Sequence, residues 1–427
     1  MHLFFIRHFN DVDHITPIVW KMNRCNHPVA VYCMNPVYDL NGDYRLRFLK
    51  QLGVHVNFIY DEFYQELGLK HRKLRLISRV SFAIARIFGN RFQSPFFHIY
   101  TKISRRAQKK GKKYYKQSRE KFYTQSWARF ILEKSGARIL CFDWIRPHYY
   151  VVKVLLMAAK EMSIPTLSLP HGIFIYTNDS VKNEAGIDER NYDKYNLYDH
   201  VAVQNDLFKE VIVKSGISRE KIIVLGSARY CSEWMKQNKK ILPRKLVSKG
   251  GNAKKLKVVF MTTRPNYRID VHRMLKTFDM LSGLNEIEVF VKPHTRTGRE
   301  AKVYENMPLA NVSEFSSVEL CEWADVMMVI GSSILIEALI QRKPVLYLKY
   351  LHENTTLYEE LEACWTIHNE EQLRQALISL QDNKRKIPYT DKNADKFLSE
   401  IIYGGQRERD VLAGYENFIL SCAQRNK

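Results

Sequence analysis

The chain has 427 residues and a formal charge of +22, from 67 Lys and Arg against 45 Asp and Glu, with 45% apolar and 12% aromatic residues. That balance excludes disordered, collagen-like and coiled-coil chains, and the length is enough for two domains with cores of their own. The charge is uneven: residues 70–121 hold 17 Lys and Arg and one acid, Glu120, so most of the excess lies in one segment.

In chain order, Leu3–Ile6 reads as a short apolar strand closed by Arg7 and His8. It is too short for the apolar core of a signal peptide. The spacing then predicts a helix over 13–22, strands over 27–34 and 55–60, and a helix over 44–52 between them. After the basic segment come a strand over 138–143, a helix over 151–162 and a strand over 166–169. Strands over 200–204 and 222–225, with a helix near 207–215, close the first half. The polar, basic stretch 231–253, with Pro243, Gly250 and Gly251, reads as a boundary. The alternation restarts with strands over 257–261, 288–292, 326–330 and 344–348. The run 318–323 precedes the strand over 326–330, and helices are predicted over 267–281, 333–340, 373–380, 394–402 and 406–422.

Short apolar strands alternating with helices predict parallel sheets. The expected fold is α/β, with two doubly wound Rossmann-like domains facing across a cleft and a basic helical insert in the first. The expected bounds are 1–235 for an acceptor domain, with the insert at about 66–135. A linker at 236–254, a donor domain at 255–402 and a terminal helix at 403–427, free to cross back to the first domain, complete the chain. No stretch approaches the about 18 uncharged apolar residues of a spanning helix. The longest candidate, 326–340, is broken by Gly331, Ser332, Ser333 and Glu337. The seven Cys are odd in number and lack metal spacing, which fits reduced packing residues in a cytoplasmic protein.

Ligands of such sheets bind at the carboxyl ends of strands, so the chemistry is sought there. Lys292, His294 and Arg296 follow one strand and suit a phosphate: the cations offset charge and the imidazole donates to a leaving oxygen. A solvated basic turn has the same composition. Gly331-Ser332-Ser333 joins a strand to a helix, where free N–H groups and two hydroxyls suit an anion; Ser is also an ordinary N-cap. Glu337 in that helix either reaches a ribose hydroxyl in the cleft or forms a solvent-side ion pair. Thr263 and Arg264 follow the domain's first strand and again suit phosphate.

In the first half, Pro170-His171-Gly172 closes a strand, and His171 points to the cleft in this reading. Asp143 and His148 sit at another strand end. Asp11, Asp13 and His14 lie between the first strand and first helix, where a carboxylate or imidazole takes a proton from an acceptor hydroxyl or merely caps the helix. Arg229, in Gly226-Ser227-Ala228-Arg229-Tyr230, ends the last strand of this half.

On these motifs the chain resembles GT-B type glycosyltransferases of bacterial surface-polysaccharide synthesis. It is similar in pattern to the CDP-glycerol glycerophosphotransferases, polysialyltransferases and capsular Kdo transferases. The resemblance rests on Pro170-His171-Gly172, Gly226 to Tyr230, Lys292-Pro293-His294, and Asp325 with Gly331-Ser332-Ser333 and Lys343-Pro344-Val345. It covers most of the chain outside the insert. It implies that His294, Ser332 and Ser333 bind nucleotide phosphates without a metal or other cofactor. The usual His-Pro step is His294-Thr295 here, which leaves the subfamily open. The Asp11-Val12-Asp13 tripeptide lies in the presumed acceptor domain.

On a helical wheel Arg72, Arg75, Arg79 and Arg86 share one side of the insert, and Leu74, Ile77, Val80, Ile84, Ile87 and Phe88 the other. Lys109, Lys110, Lys112 and Lys113 follow in a dense cationic run. An anionic membrane surface suits that pattern; packing of the apolar face on the first domain is the plainer reading. No zinc spacing, helix-turn-helix or RNP-type strand points to nucleic acid.

The expected function is therefore transfer of a sugar, or a polyol phosphate, from a nucleotide-activated donor to a glycan or lipid-linked acceptor at the inner membrane face. CMP, CDP and UDP donors are not distinguished, and the oligomeric state is open. Thr263, Arg264, Lys292, His294, Arg296, Ser332, Ser333 and Glu337 are expected on the donor side. Asp13 or His171 is the expected base, with His14, Asp143, His148 and Arg229 toward the acceptor. The alternatives are a nucleotide-sugar 2-epimerase of the same fold, which needs no acceptor, and a non-catalytic glycan- or nucleotide-binding protein.

Overall fold

The computed structural model describes residues 1–424 apart from 37, 63–75, 78, 86, 88–96, 174, 179–191, 245, 247–254, 264–266, 295–303, 305–306 and 407–408. The apolar runs form two sheets. The first contains β1 (His2–Ile6), β2 (Val29–Cys33), β3 (His55–Phe58), β4 (Ile139–Phe142), β5 (Thr166–Ser168), β6 (His200–Val203) and β7 (Ile222–Val224). Its order is β3-β2-β1-β4-β5-β6-β7, and every described pairing is parallel. β1, β2 and β4 are buried along their whole length, as strands covered on both faces are.

The second sheet contains β8 (Leu256–Met261), β9 (Ile287–Lys292), β10 (Ala310–Asn311), β11 (Val326–Val329), β12 (Val345–Leu348) and β13 (Trp365–Ile367), in the order β10-β9-β8-β11-β12-β13, again all parallel. Both orders reverse once, between β1 and β4 and between β8 and β11. Those are the two switch points where ligand crevices open.

The helices cover the faces. They include α1 (Phe9–Arg24), α2 (Tyr44–Gln51), α3 (Phe97–Phe122), α4 (Gln125–Ser135) and α5 (Tyr150–Glu161). α6 (Asp206–Lys214), α7 (Ser232–Ile241), α8 (Val271–Ser282) and α9 (Ser317–Trp323) follow. α10 (Leu335–Ile340), α11 (Leu357–Glu360), α12 (Glu370–Asp382), α13 (Asp391–Tyr403) and α14 (Val411–Gln424) close the chain. α14 returns to the first domain, where Val411, Leu412, Tyr415, Ile419 and Cys422 join the core beside Val12, Ile15 and Val19 of α1.

Several helix starts depart from the sequence reading, among them those of α1, α8 and α10. α1 begins four residues before the expected position because His8 is extended and its N–H is capped by Asp11. α8 begins at Val271, not 267: Ile269 is held in an antiparallel bridge to His352, and Asp270 caps Arg273 N–H at 3.0 Å. α10 is a six-residue helix starting at Leu335, after a Gly-Ser-Ser-Ile turn.

In the insert, the described helical residues between 76 and 87 turn Ser81 and Phe82 inward. Phe82 lies over α3 at Gly111, where a Cβ would come within 2.9 Å of the ring. Arg72, Arg75 and Arg86 of the expected cationic face lie outside the described residues; Arg79 is exposed and 3.8 Å from Asp61. Among the described residues no helix is long and apolar enough to cross a membrane.

Candidate functional site

The first switch point is built from the residues that end β1, β4 and β5. Asp11 lies in the first turn of α1 and accepts the backbone N–H groups of Arg7 and His8 through Oδ2, at 2.7 Å each. This fixes the carboxylate and turns Oδ1 toward His171, which follows β5. Asp11 Oδ1 and His171 Nδ1 form a short ion pair, and Asp143 Oδ2, after β4, lies 3.4 Å from the same nitrogen. Arg7, the first residue past β1, clamps Asp143: Nε donates to its two oxygens at 3.2 and 3.1 Å, and Nη2 to Oδ2 at 2.5 Å.

Both carboxylates are fully buried, while the His171 side chain keeps 25% exposure. Two bare buried carboxylates would be costly; here each has a cation and hydrogen bonds. Burial of the ring pulls the His171 pKa down, but Asp11 and Asp143 outweigh it and push it up to about 9. Burial opposes charge on Asp11 in turn, and His171 and Arg7 overcome that and hold it well below the usual carboxylate range. Since Nδ1 is buried, the exposed part of the imidazole is the rest of the ring.

Asp13, the other expected base, is in a different network. It meets Arg45 in a short ion pair and Arg229 Nη1 at 3.0 Å. Arg45 is fully buried, donates to Asp43 through Nε at 3.0 Å and Nη2 at 2.6 Å, and stacks over Phe9 at 4.0 Å. Asp13 thus pairs with two guanidiniums and takes part in none of the described contacts of His171. His14 is buried too: burial and then Arg229 drive its pKa far down, and Gln204 Nε2 lies 3.3 Å from Nδ1. Burial thus favours the neutral ring. His148 is exposed, and no described contact brings it to the cluster.

In the second domain Thr263 is buried at the carboxyl end of β8, beside Thr262, whose hydroxyl bonds Tyr304 at 2.9 Å. His294 is half-buried after β9. Arg264 and Arg296 lie outside the described residues. Lys292 departs from its expected role. It is buried, and Nζ donates to the carbonyls of Ser313 and Phe315 at 3.1 and 2.5 Å, tying down the chain after β10. Burial lowers its pKa to about 8.

The Ser332 and Ser333 turn also differs in detail. Their carbonyls accept the N–H groups of Leu335 and Ile336 at 3.3 and 3.2 Å, so those helix-start donors are already used. Glu337 lies in the electric field of Arg229 and Asp13 of the first domain. It is buried, takes a hydrogen bond from Gln341 at 3.3 Å, and burial raises its pKa to about 7 against the field of Arg229.

The chain after His171 carries the first domain to the second. Tyr176 forms an antiparallel bridge with Thr356, and its hydroxyl donates to Gly331 O at 3.1 Å. Gly331 has φ +66°, and a Cβ there would come within 2.7 Å of that hydroxyl. Tyr230, next to Arg229, donates to Ser333 O at 3.1 Å. His171 and Tyr176 are five residues apart. The imidazole and the Gly-Ser-Ser turn are therefore linked through a stretch whose backbone spans at most about 18 Å.

The residues that the sequence reading underweighted are Arg7 and Asp11. Their signals were present: a cation directly after an apolar strand, and an acid three residues past a potential cap. Asp11, Asp143 and His171 also meet the spacing of a cation site, with ligand atoms within 4.8 Å of one another. Arg7 already supplies countercharge there, and the shared nitrogen lies against two carboxylates. The set fits a protonated imidazole better than a divalent ion.

No protein-family model and no curated protein matches the chain in sequence. Its fold is similar to that of a UDP-N-acetylglucosamine 2-epimerase from Rickettsia bellii, at 13% identity and TM-score 0.53, covering 100% of this chain and 96% of that one. A UDP-GlcNAc 2-epimerase from Methanocaldococcus jannaschii in complex with UDP-GlcNAc and UDP is similar at 14% identity and TM-score 0.51, covering 93% and 98%. The wall teichoic acid polymerase TagF, soaked with CDPG, is similar at 12% identity and TM-score 0.51, covering 99% and 89%. At these identities the likeness is one of fold: the chain has the GT-B-like architecture of two Rossmann-like domains.

Proposed function

We propose that the chain is a metal-independent glycosyltransferase that moves a sugar or polyol phosphate from a nucleotide-activated donor to a surface-glycan or lipid-linked acceptor at the inner membrane face. The observation that carries this reading is the Asp11–His171 pair at one switch point, joined by a short segment to the Gly331-Ser332-Ser333 turn at the other. One side offers proton chemistry and the other offers hydroxyls for an anion. His171 in its neutral form takes the proton of the acceptor hydroxyl, and Asp11 and Asp143 stabilise the imidazolium that results. Asp11 is a positioning residue. His294, Ser332 and Ser333 hold the donor phosphates in this reading, with Thr263, and Arg264 and Arg296 from outside the described residues. That solved proteins of this fold were captured with UDP, UDP-GlcNAc or CDPG supports a nucleotide-linked donor.

A second reading, nucleotide-sugar 2-epimerisation, has support in the same neighbours, several of which are 2-epimerases. Product analysis with purified full chain separates the two. Transfer requires an added glycan acceptor, and His171→Ala lowers it at least about 10²-fold. Conversion of a free nucleotide sugar to its 2-epimer without acceptor decides for epimerisation. Excess EDTA leaves the rate unchanged in the proposed chemistry; loss restored by Mg²⁺ assigns a cation to Asp11, Asp143 and His171 instead.

A further inference from the structure

We propose that Arg7 is a positioning residue that holds both carboxylates of the His171 cluster and stands there as its built-in cation, in the place a divalent metal ion would take. Its two ends reach different acids. The backbone N–H donates to Asp11 Oδ2 at 2.7 Å, and the guanidinium takes both oxygens of Asp143, with Nη2 at 2.5 Å. Arg7 is itself pinned, since Asn35 Nδ2 donates to its carbonyl at 3.0 Å. This decides which carboxylate serves the imidazole. Asp143 is taken up by the guanidinium fork and lies 3.4 Å from Nδ1, while Asp11 Oδ1 makes the short pair.

Charge balance favours the same arrangement. Asp11 and Asp143 are fully buried and bring two negative charges. The other titratable groups in their field are His14 in α1, Cys33 in β2 and Tyr198 just before β6. Burial keeps each of them neutral, driving the imidazole pKa down and those of the thiol and phenol up. Arg7 brings one positive charge, so one more balances the cluster, and a proton on His171 supplies it. A divalent ion beside Arg7 would leave a net positive charge in a buried site, where uncompensated charge is costly. Without Arg7 the balance reverses. Two carboxylates and an imidazole, with ligand atoms within 4.8 Å of one another, are then a fitting donor set for a dication.

Arg7 also sets how basic His171 is. Two carboxylates against one imidazole hold its proton tightly. A guanidinium on one of them weakens that hold and leaves a base that releases its proton closer to neutral pH. This consequence for turnover rests on the transferase reading. The place of Arg7 as the cation does not, and its test needs neither donor nor acceptor.

The test compares the full chain with Arg7→Gln, Arg7→Lys and the double variant Arg7→Gln with Asp143→Asn. The His171 ring is titrated by NMR, its signal assigned by its absence in His171→Gln, and Mn²⁺ binding is measured by calorimetry. The parent and Arg7→Lys should bind no Mn²⁺ at millimolar concentration. Arg7→Gln should bind it at least about tenfold more tightly and titrate His171 at least about one pH unit higher. The double variant should lose that Mn²⁺ binding and titrate near the parent, because one acid has gone with the cation. Arg7→Gln leaves a buried carboxylate without its cation and is the variant at risk of not folding, a burden the double variant removes. Mn²⁺ that restores its unfolding transition supports the proposal; a chain that stays unfolded in Mn²⁺ while the double variant folds overturns it. Mn²⁺ binding by the parent as tight as by Arg7→Gln also overturns it and makes the cluster a metal site. So does an Arg7→Gln variant with the titration of the parent and no Mn²⁺ binding. A chain that meets these expectations and transfers nothing keeps the role of Arg7 and rejects only the transferase.

Discussion

At the scale of single residues, the site turns on one buried carboxylate. Asp11 gives one oxygen to two backbone N–H groups and the other to His171, so it sets both the position and the basicity of the imidazole. Asp11→Asn should lower kcat/KM at least about 10²-fold at neutral pH. In the parent the rate should rise with pH toward about 9, as His171 loses its proton; in the variant that limb moves to lower pH. The pair is also a stability element with a defined sign. The His171 contribution is full below its ordinary pKa and is lost as pH rises through about 9. That of Asp11, whose pKa is depressed, is present above the ordinary carboxylate range and lost in acid. Urea denaturation of the parent should therefore weaken between pH 7 and pH 10, and the Asn variant should show a flatter profile. Matching profiles would remove Asp11 from its assigned role. Residue types and strand ends were readable from the sequence, but direction was not. Lys292 looks the same in the chain whether Nζ meets a phosphate or two carbonyls, and only the packing after β10 separates the cases. Asp11 and Asp13 are equally acidic neighbours; the helix turn sends one to His171 and the other to Arg45 and Arg229.

At the scale of elements, Gly226 and Gly331 let the domains approach. Gly226 follows β7 with φ +84°, and a Cβ there would meet Ile402 O at 2.5 Å. Ser227 N–H donates to that same carbonyl at 2.7 Å, and Tyr415 of α14 donates to Gly226 O at 2.9 Å. Gly226→Ala strains the backbone and pushes α13 away, so it should cost about 1–3 kcal/mol in urea denaturation. A change within a few tenths would mean that the junction is not tight at this point. Most strands were legible as short, mainly apolar runs closed by a polar or small residue; β10, two exposed residues, and β13, largely half-buried, were not. Helix starts were not, because they depend on caps such as Asp11 and Asp270, whose carboxylates read equally well as catalytic groups. The insert shows the same limit. Amphipathic spacing identifies a helix with two faces, but the buried face is chosen by what it meets, here Phe82 over Gly111 rather than the larger aliphatic set.

At the scale of the molecule, the contacts between domains predict how a ligand is felt. The Tyr176–Thr356 bridge, the Tyr230 and Tyr176 hydrogen bonds to the Gly-Ser-Ser turn, and α14 on the first-domain core couple both sheets. Thermal unfolding should then be one transition, and a nucleotide bound by the second domain should move the whole of it. By linkage, ligand at a hundredfold its Kd stabilises the folded state by about 2.7 kcal/mol. For a chain of this size, unfolding as one unit, that corresponds to a Tm increase of about 3 °C, on the order of 1 °C per kcal/mol. A scan of CMP, CDP, UDP and GDP should give one or two nucleotides that raise Tm, and the identity of the winner reports the base of the donor. Ser332→Ala with Ser333→Ala should reduce that shift while leaving the ligand-free Tm within about 1 °C, because the turn is held to α10 and the tyrosines through backbone carbonyls and the Ser332 hydroxyl adds only a long bond, 3.5 Å, from Ile334 N–H. His171→Ala should keep the shift, since the imidazole belongs to the other switch point. If no nucleotide moves Tm, the donor assignment falls and with it both the transferase and the epimerase. If the serine variants shift as the parent does, nucleotide binding stands but the phosphates are held elsewhere on the carboxyl edge of the second sheet.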